Sequence, residues 1–302
     1  MRSMLVFAMM MAAGSYLRAE GIEVGKPGEK AKSDFSCAWE VQKDCDTPES
    51  AYFDPGSGSI YVSNIIGDGM AKDGKGTIQK INLDGTLAAS PWVKDLNAPK
   101  GMRAHQGVLW VTDIDEVVAI DIKTGELAGK KIKIEGAKFL NDIAIAEDGR
   151  VFVSDTPASK IYVIEERKPA VFLSGDELQG PNGLLVTGKK LLVAAWGLAG
   201  EDWSTKIPGG LYAIDLDTRK ITPITQEPLG NLDGLEIAAS GDYLVSDWSQ
   251  GKVFRVKPDG GSRVLFSGFK GAADIGYVPE KDLLVVPRMQ ENAVWAGVLP
   301  RP

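Results

Sequence analysis

NLDGLEIAASGDYLVSDWSQGKVFRV, residues 231–256, recurs in altered form along most of the chain. It contains a polar entry, an alternating apolar strand, a Gly turn, a second strand that ends in Ser246-Asp247-Trp248, and a third strand. A repeat of about 40–45 residues with several strands in each unit is typical of a β-propeller blade. Related segments occupy residues 47–64, 98–113, 139–164, 180–196 with 209–215, and 272–288.

The six repeats are aligned on the residue that precedes each apolar run. Successive aligned residues are 51, 41, 41, 51 and 41 positions apart. The pattern predicts an all-β fold, a six-bladed β-propeller of four-stranded antiparallel blades, in one domain over residues 35–302. The aligned residues are Glu49, Lys100, Asn141, Asn182, Asp233 and Asp274.

The last repeat, residues 272–299, contains only three strand-like runs. A ring of blades must not leave an open edge. In residues 35–42 apolar side chains recur at every second position, as in a strand with one buried face. We predict that this segment supplies the missing outer strand of the sixth blade. Residues 20–34, which are charged and contain Gly and Pro, are expected to be a flexible lead-in.

Residues 1–19 are typical of a secretory signal peptide. Arg2 gives a positive start, MLVFAMMMAAG is a short apolar run, and Leu17-Arg18-Ala19 places a small residue before Glu20. The alternative is a membrane anchor, but the apolar run is too short to span a bilayer. We therefore expect a periplasmic or secreted protein without stable membrane insertion.

The chain has two cysteines, Cys37 and Cys45. Two nearby cysteines in an exported protein predict one disulfide, which would close a short N-terminal loop. Two free thiols are the alternative. A zinc site built on these thiols is disfavoured, because the single histidine, His105, is far away in sequence.

The formal net charge is −7, and the sequence has no basic cluster. This balance disfavours nucleic acid as a partner. A small neutral or cationic ligand, or a metal cation, fits it better. The sequence leaves the oligomeric state open.

Strand direction sorts the residues of each blade between the two faces of the ring. The first strand starts at one face, here called the top, and lines the central channel, and the second strand returns to the top. Two repeats carry insertions, at 65–76 and 197–209, and both insertions follow the second strand. They are expected to project over the channel mouth, where long loops often carry function. Tolerated surface insertions are the alternative.

The six aligned residues are expected to meet at the top of the channel, and we call them the channel ring. Carboxylate and amide oxygens are hard ligands that suit Ca²⁺ or Mg²⁺. The three acids and one lysine of the ring sum to −2, which matches one divalent cation. Without a cation the carboxylates would repel one another, and at least one pKa would rise. The alternative is a water-filled polar channel in which Lys100 pairs with Asp274.

Four elements in blade order carry a family resemblance: Glu49, Asn141-Asp142, Pro181-Asn182-Gly183 and Asp233-Gly234. With them the chain resembles the senescence marker protein-30/gluconolactonase/luciferin-regenerating-enzyme-like family over about residues 35–299. The resemblance implies a six-bladed propeller with one metal and lactone hydrolases among the relatives. Ca²⁺ is the expected metal, with Zn²⁺, Mg²⁺ and Mn²⁺ as alternatives. The ligands that the resemblance implies are Glu49, Asn141, Asn182 and Asp233.

The expected activity is hydrolysis of small lactones or related esters. A cation at the axis would polarise the carbonyl, and Asp233 would act as a base or nucleophile. Trp196, Trp203 and Trp248 are expected to supply apolar walls at the channel mouth. Packing of these tryptophans between blades is the alternative. The alternative function is a non-catalytic ligand- or protein-binding propeller with a structural metal. The residues expected to bind substrate are Lys100, Asp274, Trp196, Trp248 and Arg288, the last by gripping a carboxylate.

Overall fold

The computed structural model describes residues 22–23 and 37–299 and confirms the six-bladed β-propeller. The described residues form six antiparallel blades of four strands, without an α-helix. Two strands precede the first blade: β1 (Ile22–Glu23) and β2 (Cys37–Val41). Blade 1 contains β3 (Pro48–Asp54), β4 (Ser59–Asn64), β5 (Gly76–Ile81) and β6 (Leu87–Leu96). Blade 2 contains β7 (Pro99–His105), β8 (Val108–Asp113), β9 (Glu116–Asp121) and β10 (Ile132–Lys133).

The next two blades follow the same order. Blade 3 contains β11 (Leu140–Ile145), β12 (Val151–Asp155), β13 (Lys160–Glu165) and β14 (Lys168–Ser174). Blade 4 contains β15 (Pro181–Thr187), β16 (Lys190–Ala195), β17 (Leu211–Asp215) and β18 (Ile221–Pro223).

The last two blades also take in strands from the N-terminal part of the chain. Blade 5 contains β19 (Leu232–Ile237), β20 (Tyr243–Asp247), β21 (Lys252–Val256) and β22 (Ser262–Ser267). Blade 6 contains β23 (Gly276–Val278), β24 (Leu283–Arg288), β25 (Ala293–Val298) and β2. Short 3₁₀ turns lie at Asp176–Leu178, Pro279–Lys281 and Met289–Glu291.

The apolar core lies between the blades. Six hydrophobic clusters of buried side chains occur, one at each junction of neighbouring blades. At the junction of blades 3 and 4, Phe152 and Phe172 contact each other edge to face at 5.0 Å and pack with Leu184 and Leu191. Full burial of such a side chain contributes about 1.5–3 kcal/mol. Because apolar residues fill the junctions, the axis is left to polar side chains.

The segment before the first blade closes the ring, as the sequence predicts. β2 pairs antiparallel with β25, and Val41 lies opposite Val294. This pairing gives blade 6 its fourth strand and covers its outer edge. Chain ends that are far apart in sequence are thereby joined in one sheet.

The predicted signal peptide, residues 1–19, lies outside the described residues. Within the predicted lead-in, residues 20–34, only β1 is described, and it pairs in parallel with β22 at the edge of blade 5. In residues 22–23 and 37–299 no helix has the length and apolar character needed to cross a membrane.

The structure does not contain the predicted disulfide, because Cys37 and Cys45 are both free thiols. Cys37 begins β2 and Val41 ends it, roughly 13 Å further along an extended strand. The Cys45 thiol lies at the far end, 3.5 Å from the carbonyl oxygen of Val41 and 3.6 Å from Gln79 Oε1. A disulfide needs Cα atoms within about 7 Å of each other, so the intervening strand keeps the two cysteines apart. Burial raises the pKa of the Cys45 thiol to about 12.

Candidate functional site

In blades 1 to 5 a register shift near the start of the first strand directs the channel side chain. In β3 the ladder pairs Pro48 with Asn64 and then Ser50 with Ser63, so Glu49 is an extra residue without a partner across the ladder. The first strands of blades 2 to 5 shift register at the same place. Such a bulge bends the strand and re-aims a side chain. The residues at these shifts include Glu49, Lys100, Asn141, Asn182 and Asp233.

Asp274, the sixth member of the channel ring, is held by blade 1. Its N–H donates to the carbonyl oxygen of Glu49 at 2.9 Å, and its carbonyl oxygen accepts from the N–H of Ala51 at 3.0 Å. Ser50 Oγ also donates to Asp274 Oδ2 at 2.5 Å. All six ring residues are buried, with exposed fractions between 0% for Lys100 and 5% for Asp233. Water therefore does little to solvate their charges.

Glycines let neighbouring blades approach closely at the ring. A Cβ on Gly183 would lie 2.0 Å from the carbonyl oxygen of Asp233, and a Cβ on Gly234 would lie 2.2 Å from the backbone nitrogen of Ile275. Only a hydrogen atom fits these spaces. This contact explains why a glycine follows the ring residue in the Asn182-Gly183 and Asp233-Gly234 pairs.

Hydroxyl groups on the second strands connect successive blades at the same level. Ser154 Oγ accepts from the N–H of Asp142 and donates to the carbonyl oxygen of Asn182 in the next blade, both at 2.8 Å. Ser246 forms the corresponding pair of bonds between blades 5 and 6. These hydroxyls satisfy backbone groups that the bulges remove from the ladder. The repeated Ser-Asp pair at the end of the second strand thus has a structural cause that the sequence analysis missed.

The aspartate of the Ser-Asp pair also serves the fold. The Asp155 carboxylate accepts from the N–H groups of Lys138 and Phe139 at 2.9 and 3.1 Å, which orders the loop that enters the first strand of the same blade. Asp113 accepts from two backbone N–H groups of the matching loop in blade 2. These carboxylates are therefore occupied by backbone donors.

The ring carboxylates destabilise one another in their charged forms. Burial raises the pKa of Glu49 well above its usual value, and the nearby Asp233 carboxylate raises it further. Burial and the charge of Asp142 likewise raise the pKa values of Asp233 and Asp274. These shifts have the direction that the sequence predicts for acids gathered in a narrow channel.

Asp142, next to a ring residue in sequence, pins blade 3 to blade 4. Its Oδ1 accepts from the N–H of Ile143 and its Oδ2 accepts from the N–H of Leu184, both at 2.6 Å. Burial nevertheless raises the pKa of Asp142 to about 6. Asp142 thus adds negative charge beneath the ring while its oxygens are engaged by backbone donors.

Three buried oxygens of the ring have no hydrogen-bond partner among the described residues: Glu49 Oε2, Asn182 Oδ1 and Asp274 Oδ1. Buried acceptors are nearly always satisfied, and a hard divalent cation would satisfy carboxylate and amide oxygens of this kind. In the described part of the chain no three His, Cys, Asp or Glu side chains are grouped as a metal site. A cation here would therefore depend on amide as well as carboxylate oxygens. The donor set fits the predicted site on that condition.

Lys100 does not form the ion pair with Asp274 that the water-filled alternative requires. Its Nζ donates to the carbonyl oxygen of Ala98 at 2.9 Å and contacts that of Gly69 at 3.5 Å. The ammonium lies 4.1 Å from the ring centroid of Phe139. Burial lowers the pKa of Lys100 to about 8, although the Glu49 carboxylate opposes this shift. The inserted loop at 65–76 thus contacts the ring directly through a backbone carbonyl.

An ion pair that the sequence does not reveal crosses the channel below the ring. Arg103 Nη1 donates to Glu236 Oε1 at 2.6 Å, and the guanidinium also lies 5.4 Å from the ring centroid of Tyr52. Arg103 comes from blade 2 and Glu236 from blade 5, which are opposite one another in a six-bladed ring. The pair therefore joins opposite sides of the channel three positions along the inner strands from Lys100 and Asp233. The available signal was a second charged residue, three positions after the ring residue, in both of these inner strands.

Aromatic side chains surround the top of the channel. Trp203, from the inserted loop 197–209, contacts Phe139 at 5.0 Å and Trp196 at 5.9 Å between ring centroids. Trp196 in turn contacts Trp248 at 5.9 Å. The indole N–H groups of Trp196 and Trp248 are both occupied. Trp196 Nε1 donates to the carbonyl oxygen of Trp203, and Trp248 Nε1 contacts Met289 Sδ. The tryptophans therefore form a connected wall beside the channel.

Arg288 is engaged by the ring closure. Its guanidinium donates to Glu40 Oε2 at 2.7 Å and to Glu291 Oε1 at 2.5 Å. Glu40 belongs to β2, so this contact ties the closing strand to blade 6. With two carboxylates already bound, we assign Arg288 to closure of the ring and not to a substrate carboxylate.

Sequence comparison with known proteins gives no match. No protein-family model matches the sequence. No curated protein matches it either.

Solved structures with the same fold include proteins of several activities. A gluconolactonase from Xanthomonas campestris is 16% identical with a TM-score of 0.65, covering 86% of this chain and 89% of that one. Regucalcin from Agrobacterium tumefaciens, described as a calcium-binding protein, is 18% identical with a TM-score of 0.61, covering 88% and 96%. A virginiamycin B lyase from Staphylococcus aureus is 15% identical with a TM-score of 0.61, covering 88% and 100%. The chain therefore shares its six-bladed fold with the gluconolactonase and regucalcin structures, and the likeness to a lyase shows that proteins of similar architecture have different activities.

Proposed function

We propose that the protein is a metal-dependent hydrolase of small lactones or related esters. The observation that carries the proposal is a group of buried oxygens without donors, Glu49 Oε2 and Asn182 Oδ1 among them, beside the Asp233 carboxylate. Buried polar groups beside a wall of tryptophans are suited to a small-molecule substrate. The gluconolactonase with the same fold supports this class of activity.

Each ring residue has a role in the proposal. Glu49, Asn141, Asn182 and Asp233 would hold the cation, which would supply Lewis-acid polarisation of the substrate carbonyl. Ca²⁺ is the cation we propose, with Zn²⁺, Mg²⁺ and Mn²⁺ as alternatives. A buried carboxylate whose pKa is raised is a better proton acceptor near neutral pH than an exposed one.

Asp233 would take the proton of the attacking water, or would itself attack the carbonyl. Burial raises its pKa, and no described donor contacts its carboxylate, so a lone pair is free for either role. Hydrogen bonds to backbone carbonyl oxygens hold the Lys100 ammonium in place. We propose that it contacts the substrate only at the edge of the channel ring.

The test is hydrolysis of a panel of lactones and aryl esters by metal-free protein reloaded with each cation. Asp233→Asn and Glu49→Gln should both lose turnover, while Asp217→Asn, an exposed acid in the turn after β17, should retain it. Equal turnover in all three variants would contradict the proposed roles. If no substrate is turned over, and added cation still raises the melting temperature, the alternative of a non-catalytic binding propeller is supported.

We also propose that the protein is exported to the periplasm or secreted, with residues 1–19 removed. Expression of the full chain should give an extracytoplasmic product whose N-terminal sequence begins near Glu20. A product that remains in the cytoplasm with Met1 or Arg2 at its N-terminus would contradict export.

A further inference from the structure

The side chains that follow the second strands at the top face are mostly apolar, and they narrow the class of substrate. In each blade one residue directly follows, or nearly follows, the end of the second strand at the top. Five of the six are apolar. Ile65, Ile114 and Trp196 are at most 6% exposed, and Met289 packs against the small cluster that contains Ile65 and Ile114. We call this set the mouth collar: Ile65, Ile114, Thr156, Trp196, Trp248 and Met289.

The polar groups of the collar are already engaged. The Thr156 hydroxyl donates to the carbonyl oxygen of Pro181 at 2.9 Å. The indole nitrogen of Trp196 donates to a backbone carbonyl, and that of Trp248 contacts the Met289 sulfur at 3.2 Å. A polyhydroxylated ligand that enters here would lose water without gaining donors or acceptors from the collar.

The two inserted loops carry apolar side chains in the open. Met70 is 52% exposed on one loop, and Leu198 and Ile207 are 48% and 67% exposed on the other. Both loops reach the channel, the first through Gly69 against Lys100 and Phe139, the second through Trp203. The two loops therefore bring three exposed apolar side chains to the face of the ring on which the collar lies.

We propose that the substrate carries an extended alkyl or aryl group, which lies against the collar and the inserted loops while its ester or lactone carbonyl reaches the channel ring. This rests on the proposed hydrolase function and goes beyond it by excluding sugar-acid lactones as the preferred class. The collar and loops determine specificity, and the ring performs the chemistry.

The experiment compares δ-lactones that carry methyl, propyl or pentyl groups with glucono-δ-lactone. Full burial of a methylene group is equivalent to about a fourfold change in affinity, so we expect kcat/KM to rise roughly two- to fourfold per methylene group. The pentyl lactone should then exceed the methyl lactone by about 16-fold or more. Glucono-δ-lactone should be the poorest of the four.

Substitution of the loops separates their contribution from general effects on stability. The triple variant Met70→Ser, Leu198→Ser, Ile207→Ser should flatten the dependence on chain length, with the largest loss of kcat/KM for the pentyl lactone. The matched control, Leu127→Ser, Val171→Ser, Val298→Ser, removes three apolar side chains of 51%, 50% and 40% exposure that lie away from the mouth. It should retain the full dependence.

Binding measured without turnover keeps this inference distinct from the proposed function. Alkyl δ-lactams of the same three chain lengths resist hydrolysis, and their binding can be followed by tryptophan fluorescence. Affinity that rises with chain length supports an apolar ligand even if no lactone is hydrolysed. Glucono-δ-lactone as the best substrate, or equal rates and affinities at all chain lengths, would overturn the inference while leaving the hydrolase proposal intact.

Discussion

The ion pair beneath the channel ring gives a prediction whose size follows from its burial. The side chains of Arg103 and Glu236 are 11% and 15% exposed, and their charged atoms are 2.6 Å apart. Glu236→Gln keeps the shape of the side chain and removes the charge. Arg103 would then keep the carbonyl oxygen of Leu235, at 3.4 Å, the Tyr52 ring and the charges of Asp142 and Asp274. Removing one partner of a buried ion pair costs about 3–5 kcal/mol in the free energy of unfolding, and these two acids should keep the loss near the lower end of that range.

A double-mutant cycle by urea denaturation measures this effect. Arg103→Met alone should also destabilise, because burial raises the pKa of Glu236 and the lone carboxylate would have no counter-charge. Arg103→Met with Glu236→Leu should recover most of the loss, since well-packed apolar residues can replace a buried pair.

The exposed pair Lys189–Asp217 is the matched control. Its side chains are 80% and 59% exposed, with 2.8 Å between the charged atoms. The same cycle there should give a coupling energy below about 1 kcal/mol. Equal coupling in the two cycles, or single variants at Arg103 and Glu236 that unfold like the native protein, would refute the assignment of this pair as a buried tie across the channel.

Three further predictions concern the first and second strands of the blades. Gly183→Ala should destabilise by about 1–3 kcal/mol or prevent folding, because the new Cβ would lie 2.0 Å from a backbone oxygen, whereas Gly56→Ala, with its nearest neighbour at 3.5 Å, should change the urea midpoint little. Burial lowers the pKa of Lys100 from 10.5 to about 8, so the folded state binds this proton less tightly than the unfolded chain does; stability should rise between pH 8 and pH 10.5, and Lys100→Met should remove that rise in thermal melts. Burial raises the pKa of Asp247 from 3.8 to about 6. Ionisation of this carboxyl should therefore remove roughly 3 kcal/mol of stability as the pH rises from about 4 to 6. Asp247→Asn should abolish this loss, and an unchanged pH profile in the variant would contradict the prediction.

Much of the fold could be predicted from the sequence, because the repeats can be aligned with one another. The register of the six units located the channel ring, because a bulge at the same place in the first strands of blades 1 to 5 preserves the alignment that the sequence displays. The alternation in residues 35–42 located the closing strand, since an open blade edge requires a partner. The insertions were assigned to the top by strand parity, and the contact between Gly69 and Lys100 agrees with that assignment.

Contacts between distant blades were beyond sequence reasoning. Arg103 and Glu236 are 133 positions apart, and nothing in either strand names the other as its partner. Arg288 was expected to face substrate. Its partner Glu40 lies on the closing strand and reaches Arg288 only when that strand has joined blade 6, so the pairing could not be seen in the sequence. The expected disulfide was inferred from spacing alone, and β2 separates the two thiols by its own length.

Cation binding by the channel ring is measured most directly by calorimetric titration of metal-free protein with Ca²⁺, and with Zn²⁺, Mg²⁺ and Mn²⁺ in parallel. One cation should bind per chain, Glu49→Gln should weaken its affinity by about tenfold or more, and Asp217→Asn should leave it unchanged. Absence of binding for all four cations, or equal affinity in Glu49→Gln and the native protein, would contradict the assignment of these buried oxygens to a metal.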